Sequence, residues 1–388
     1  MARAYDEEAG GPALTTVLRE WGRIGCIGFG GPPTHIRLLR ELCVEEHGWL
    51  EPAEFEDALA TCNLLPGPAS TQLAIFCAWR LRGWRGALVG GTAFIAPGLM
   101  VILALSAVFL ASAPPRWVLG MGAGAGGAVA AVAVHAGLSL VPDSWRRRRQ
   151  APSWTAYVVL GAVAAATLGP WLVLVLVGCG LTELGLTRGT QPAATAGVLP
   201  LRLAAATTAT GGLLSLCWVA LKVGALSYGG GFVIIPLMQS DAVNHYHWLT
   251  AQQFLNGVAL GQITPGPVVQ TVAVIGYAAA GVGGGLLAAL VAFSPSFAFV
   301  LLGANRFDLI RHDQRAQAFL RGAGPAAIGA ILGSAIPLTR ALTESWQYGV
   351  LVAAAVLLVV LRRGIVTTLL LAATAGIVIA AAGGSVPH

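Results

Sequence analysis

Charge is scarce in this chain. Asp, Glu, Lys and Arg supply 10% of its 388 residues, against about 25% in soluble domains. With 56% hydrophobic residues and a mean hydropathy of +0.74, it reads as an integral membrane protein. Cysteine is sparse too. None of Cys26, Cys43, Cys62, Cys77, Cys179 and Cys217 forms a CxxC, and no Cys/His spacing fits zinc or haem. They read as small apolar packing residues, with no disulfide implied. No GxxxxGK[ST] loop is present, so the glycine-rich stretches are not nucleotide loops. His245 and His247 lack a carboxylate partner at ligand spacing, so no metal is expected. Nothing calls for a cofactor. The first ten residues, MARAYDEEAG, have no basic segment before an apolar core, so no signal peptide is expected. The net charge of +6 lies mostly in short loops, which reads as membrane topology and not as nucleic-acid binding.

Apolar segments are abundant. They run at about 86–111, 116–141, 154–169 and 170–187, then 284–303, 323–340, 346–361 and 364–382. Each is near the roughly 20 residues that a helix needs to cross a bilayer. A more irregular region precedes each group of four, at 13–83 and 203–282, apolar but interrupted by Gly and Pro. These two regions are copies. Shifted by 199 they align without a gap: Gly25 meets Gly224, Trp49 meets Trp248, Phe55 meets Phe254, Pro66-Gly67-Pro68 meets Pro265-Gly266-Pro267 and Phe94 meets Phe293. The expected fold is an all-α polytopic membrane protein of two homologous halves. The first repeat covers 1–187, a linker 188–202, and the second repeat 203–388.

Positive charge gives the orientation. First-half basic loops are Arg80, Arg82 and Arg85, and Arg146 to Arg149; their second-half counterparts are nearly uncharged. In the second half the arginines are Arg306, Arg311, Arg315 and Arg321 in one loop and Arg362-Arg363 in another. The charge has moved to the opposite loops, so the halves are expected as inverted repeats. The linker is then cytoplasmic and the C-terminus outside; the side of the N-terminus stays open. Inverted repeats with interrupted helices are a signature of secondary transporters, whose substrate sits near the midplane where the breaks meet.

The breaks have a chemistry. Proline removes a donor and blocks the preceding turn, so Pro66-Gly67-Pro68 and Pro265-Gly266-Pro267 end one helix and start another. A helix start offers free N–H groups and partial positive charge to an anion. Ser70, Thr71 and Gln72 follow the first break, Gln270 and Thr271 the second. Asn63 and Gln262 precede them as possible amide donors. The other repeated break is Phe29-Gly30-Gly31-Pro32, matched by Tyr228-Gly229-Gly230, suited to close backbone approach or an anion nest. Charges in apolar stretches are expensive. Arg23 and Lys222 coincide under the shift, and together they are expected to balance a divalent anion, with snorkelling to an interface as the bland reading. His35, Arg37 and Arg40 read as a solvated face, or else a gate. Glu183 reads as interfacial.

FGGPPTHI at 29–36, NLLPGPASTQLA at 63–74, GWRGALVGGTAFIAPG at 83–98 and the second-half copy around QITPGPVVQT resemble the chromate ion transporter family. The likeness covers nearly the whole chain and is to the long, two-domain kind. It implies a bacterial or archaeal inner-membrane protein, not an enzyme. It implies export of chromate from the cytoplasm, driven by membrane potential or proton gradient, with sulfate as the analogue. The second glycine motif departs from the pattern, with Gly231 where Pro32 stands in the first. A sulfate or general oxyanion carrier, an anion channel and a membrane-bound chromate reductase are the rivals. The last would need a redox group that the sequence does not offer. A homodimer is left open.

Overall fold

The computed structural model describes residues 11–63, 65–167, 171–188, 212–227, 233–304 and 313–387, and among these helix is the only repetitive structure. Short pieces open the chain: α1 (Leu14–Ile27), α2 (Pro32–Arg40) running into a π-helical turn (Glu41–Glu46), and α3 (Pro52–Cys62). At 1.5 Å per residue, α1 is about 21 Å long and α3 shorter still, less than the ~30 Å of hydrocarbon. Then α4 (Ala69–Phe109) begins at the PGP break. It is one run of 41 residues bent at Arg82 and Gly83, which leave helical geometry (Gly83 φ +58°). The expected basic loop 80–85 is this bend, and the expected segment 86–111 is the second arm of α4. Helices α5 (Arg116–Arg146), α6 (Ala151–Thr167) and α7 (Leu172–Arg188) follow. The turn at Gly169-Pro170 lies outside the described residues, as does the linker but for the backbone of Arg188.

The second half repeats the plan with α8 (Leu213–Leu226), α9 (Ile234–Gln239) and its π turn (Ser240–His245), α10 (Ala251–Ile263) and α11 (Val272–Gly303). Helices α12 (Gln314–Arg340), α13 (Ser345–Ala355) and α14 (Ile365–Ala381) complete it. Arg315 and Arg321, expected in a loop, lie inside α12; Arg306 and Arg311 fall outside the described residues.

The offset of 199 holds up to the PGP turns. Helices α1 and α8 share bounds under it, the π turns share bounds, and left-handed Gly48 matches left-handed His247. Past the turns it becomes 198. The bend at Arg82-Gly83 recurs at Ala280-Gly281, and the in-helix Pro97 recurs at Pro295. A Cβ on Gly25 would meet the Phe94 carbonyl, while one on Gly224 would meet that of Ala292. The gap-free alignment, which paired Phe94 with Phe293, therefore needs one correction: the second copy is a residue shorter just after its PGP. The physical effect is local. Ala69 opens an α-helix directly, whereas Val268–Thr271 forms a tighter 3₁₀ turn before α11.

Packing interlocks the halves. Within each, α1 lies on α4 and α8 on α11, while α4 and α11 meet each other. Beyond that the helices cross over. First-half α5 packs on second-half α14, and second-half α12 packs on first-half α6 and α7. Small residues permit it: a Cβ on Gly124 would lie 2.2 Å from the Ala372 carbonyl, and one on Gly329 1.9 Å from that of Val158. Such close backbone approach is how helices gain contact in lipid, where hydrophobicity gives no preference for protein over acyl chain.

Two ends of the molecule can be told apart. At one, Arg116 donates to the Gly384 carbonyl (3.0 Å) and Trp346 to that of Ser385 (3.0 Å). At the other, Arg146, Arg147 and Arg148 gather with Gln317 and Arg321 around a common cavity. Arg146 to Arg148 of the first half and Arg321 of the second thus border one cavity.

Candidate functional site

The site is built where the first glycine break and the two PGP turns cross. Gly30 and Gly31 adopt left-handed φ of +99° and +76°, and Gly67 and Gly266 +119° and +93°. Each PGP turn nests on the long helix of the other half. A Cβ on Gly98 of α4 would sit 2.1 Å from the Pro265 carbonyl; at the equivalent place on α11, Ser296 Oγ lies 3.4 Å from a Cβ built on Gly67. The first glycine break also touches the second PGP, with Gly266 N donating to the Gly28 carbonyl at 3.1 Å and Gly31 facing Val268.

His35 ties this crossing together. It is fully buried, contrary to the expectation of a solvated face or gate. Its Nε2–H donates to the Gly28 carbonyl (2.9 Å), and its Nδ1 accepts from the Ser70 hydroxyl (3.3 Å) in the neutral ring. Its ring stands nearly perpendicular to that of Phe94, with centroids 5.0 Å apart. Ser70 starts α4, Gly28 belongs to the glycine break and Gly266 to the other PGP, so one chain of hydrogen bonds joins three breaks. Arg37 and Arg40 do lie outward, paired with Glu41 and with Glu45 and Glu56.

The glutamines point inward at their own turns. Gln72 Nε2 donates to the Pro66 carbonyl (2.7 Å), and Gln270 Nε2 to that of Pro265 (2.6 Å) and to Thr264 Oγ1 (3.2 Å). Their N–H groups are thus partly committed to shaping the breaks, while both Oε1 atoms are buried without partners. Thr271 bonds the Val268 carbonyl. Buried polar atoms without partners are uncommon. They collect here: Thr71 Oγ1, Ser227 Oγ, Ser296 Oγ and Gln262 Nε2 are also unbonded. Pro32 opens α2 and Pro68 caps α4. Phe29 is exposed. Asn63 is exposed where Gln262 is enclosed. Tyr228, Gly229 and Gly230 lie outside the described residues.

The two basic residues do not face a common centre. Arg23 is half exposed and pairs with Glu20 (3.2 Å) and Glu46 (3.8 Å). Lys222 is mostly buried and pairs with Asp241 at 2.5 Å. Both tie the first helix of their half to its π turn, and Lys222 has its counter-charge already. Glu183 is corrected as well. It is 2% exposed, accepts from Tyr157 Oη at 3.0 Å and is covered by α12 at Gly322.

A cavity of about 800 Å³ leads from the arginine-rich end to the first PGP turn. Asn63, Leu65 and Gly67 line it, and so do Arg146, Arg147, Arg148 and Arg321. Residues 265–267, by contrast, are enclosed.

A family model described as chromate transporter matches residues 15–184 and again 214–378. The chain belongs to the chromate transporter family. The two matches begin 199 residues apart (15 and 214), the offset of the repeat. The chain is 34% identical over 325 residues to the chromate transport protein of Cupriavidus metallidurans, covering 82% of this chain and 80% of that one. A probable chromate transport protein of Synechococcus elongatus is 28% identical over 364 residues, 87% and 91% of the two chains. The chromate transport protein of Pseudomonas aeruginosa is 29% identical over 341 residues, 83% and 80%. No solved structure matches. Chromate transporters are transport proteins and not enzymes, and this one is a membrane protein of apolar helices.

Sequence reasoning missed Asp241, Ser296 and the burial of His35 in this family member. A signal existed for Asp241, an acid in an apolar stretch within reach of Lys222. None existed for Ser296, whose neighbour across the fold, Gly67, is 229 residues away in the chain.

Proposed function

We propose that this transporter exports chromate, a tetrahedral dianion, from the cytoplasm by alternating access around the crossed breaks. Arginine-rich loops mark the cytoplasmic side, so the cavity is a cytoplasmic vestibule and the arrangement described is inward-facing. The linker then lies in the cytoplasm, and residues 384–385 lie outside with Arg116. The observation that carries this reading is the vestibule's reach to Gly67 at the start of α4. There the free N–H groups of the first turn and the partial positive charge of a long helix meet an incoming anion. Thr71 and Ser296, each with a buried unbonded hydroxyl, supply further donors. An inside-negative potential drives a dianion outward, at about 2.3 kcal/mol per charge per 100 mV.

Labelled chromate uptake into everted membrane vesicles tests this directly. Uptake that rises with imposed potential and resists excess sulfate is expected. Uptake abolished by modest sulfate would instead establish a general oxyanion carrier. Very fast flux, linear in concentration, would indicate a channel, and no uptake by folded protein would remove the substrate.

A further inference from the structure

We propose that Arg321 is the fixed counter-charge that receives the oxyanion in the vestibule, before it reaches the first PGP turn. This rests on the oxyanion-transport reading above. Arg321 lies about two turns into α12 and lines the same cavity as Gly67. Its Nε is buried with no hydrogen-bond partner, and no described residue forms an ion pair with it. The carboxylates lining that cavity are taken: Glu56 by Arg40, and Asp143 by Arg146 at 3.7 Å. A guanidinium does not shed its proton, and one half-buried in a cavity with no ion pair among the described residues offers its charge to a mobile anion. Its partner in this reading is an anion that comes and goes.

Its chemical class follows from the fork. Two parallel N–H groups match two oxygens of a tetrahedral oxyanion, and a dianion gains more than a monoanion. Gly324 and Pro325, the next lining positions on α12, carry no long side chain, which leaves room beside the guanidinium. The neighbouring arginines do a different job. Arg146 is exposed and paired, and Arg148 stacks on Trp145 at 3.7 Å. They raise the local anion concentration from a distance.

Two measurements test the assignment. In wild-type everted vesicles, phenylglyoxal labelling of each arginine is followed by peptide mass spectrometry, with and without chromate or sulfate. Either dianion is expected to slow labelling of Arg321 several-fold and leave Arg116, at the opposite end, unchanged. Transport kinetics come second: Arg321→Gln is expected to raise KM for chromate about tenfold or more, and Arg321→Lys to give a smaller rise, because it keeps charge but loses the fork. Wild-type transport with Arg321 unprotected at saturating dianion would overturn the assignment and leave oxyanion transport standing. So would an unchanged KM in well-expressed Arg321→Gln. If Arg321→Gln does not fold, the wild-type protection result decides alone. Wild-type protein that carries neither chromate nor sulfate would remove both readings.

Discussion

The two PGP turns have the same three residues and different surroundings. The first opens onto the vestibule, with Pro66 exposed and α4 starting at once from Pro68. The second is enclosed, is followed by a 3₁₀ turn and is tied to the glycine break of the other half through Gly266 and Gly28. Duplicated elements in inverted positions would be equivalent in a symmetric molecule. Here one is accessible while the other is shut, as an alternating carrier requires of any single state. Part of the asymmetry is permanent, because a deleted residue cannot be regained during a cycle. The halves are therefore specialised as well as momentarily different.

The largest expected effect comes from the basic residues that match under the shift. Lys222→Met would leave Asp241 charged and 5% exposed at the side chain, and breaking a buried pair from one side costs about 3–5 kcal/mol. A large fall in melting temperature in detergent is expected, with little folded protein recovered. Adding Asp241→Leu should restore much of the loss, since leucine stands at the equivalent first-half position, Leu42, and an apolar replacement of a buried pair is often near neutral. Arg23→Gln, in a half-exposed pair, should cost no more than about 1 kcal/mol. Equal effects of Lys222→Met and Arg23→Gln, or no recovery in the double variant, would show that burial does not distinguish the halves.

The turns themselves come next. Both Gly67→Ala and Gly266→Ala place a Cβ in the left-handed region, at about 1–2 kcal/mol each. The first adds a clash, because its Cβ would lie 2.6 Å from Gln72 Nε2, against 3.2 Å from Gln270 Oε1 in the second. The first turn also faces the vestibule. Gly67→Ala should therefore lose more chromate flux than Gly266→Ala, at comparable melting temperatures. Flux measured in vesicles with matched expression checks this, and the reverse order would mean that the enclosed turn limits transport.

The breaks were legible from sequence because glycine and proline constrain the backbone wherever they stand. The duplication was legible because Trp49, Phe55 and PGP repeat at a fixed spacing. The one-residue deletion was masked by the match of Phe94 with Phe293 at 199, although Gln72 with Gln270 and Pro97 with Pro295 coincide only at 198. Pairing was hidden for a different reason. Which partner a charged side chain finds depends on crossing helices: Lys222 on α8 meets the π turn after α9, while Arg321 meets a cavity bounded largely by the first half. Glu183 sits near the end of α7, where a carboxylate ordinarily meets water, but α12 covers it because the halves exchange helices.

The finest test of the comparison comes from copying the second half into the first at His35. Under the shift that position is Ile234, and Val268 or Val269 corresponds to Ser70. His35→Ile removes one donor to the Gly28 carbonyl and strands the Ser70 hydroxyl. The carbonyl keeps its bond from Gly266 N, so the loss is that of one buried hydroxyl's partner, about 1–3 kcal/mol. Isoleucine partly fills the volume beside Phe94. The double variant His35→Ile with Ser70→Val, which reproduces the second-half chemistry, should be more stable than His35→Ile alone. A relay that matters only for packing would leave chromate flux in the double variant near wild type. A relay that couples the breaks would lower flux while the melting temperature recovers. Comparing those two readouts in one variant separates structural support from coupling at the crossing.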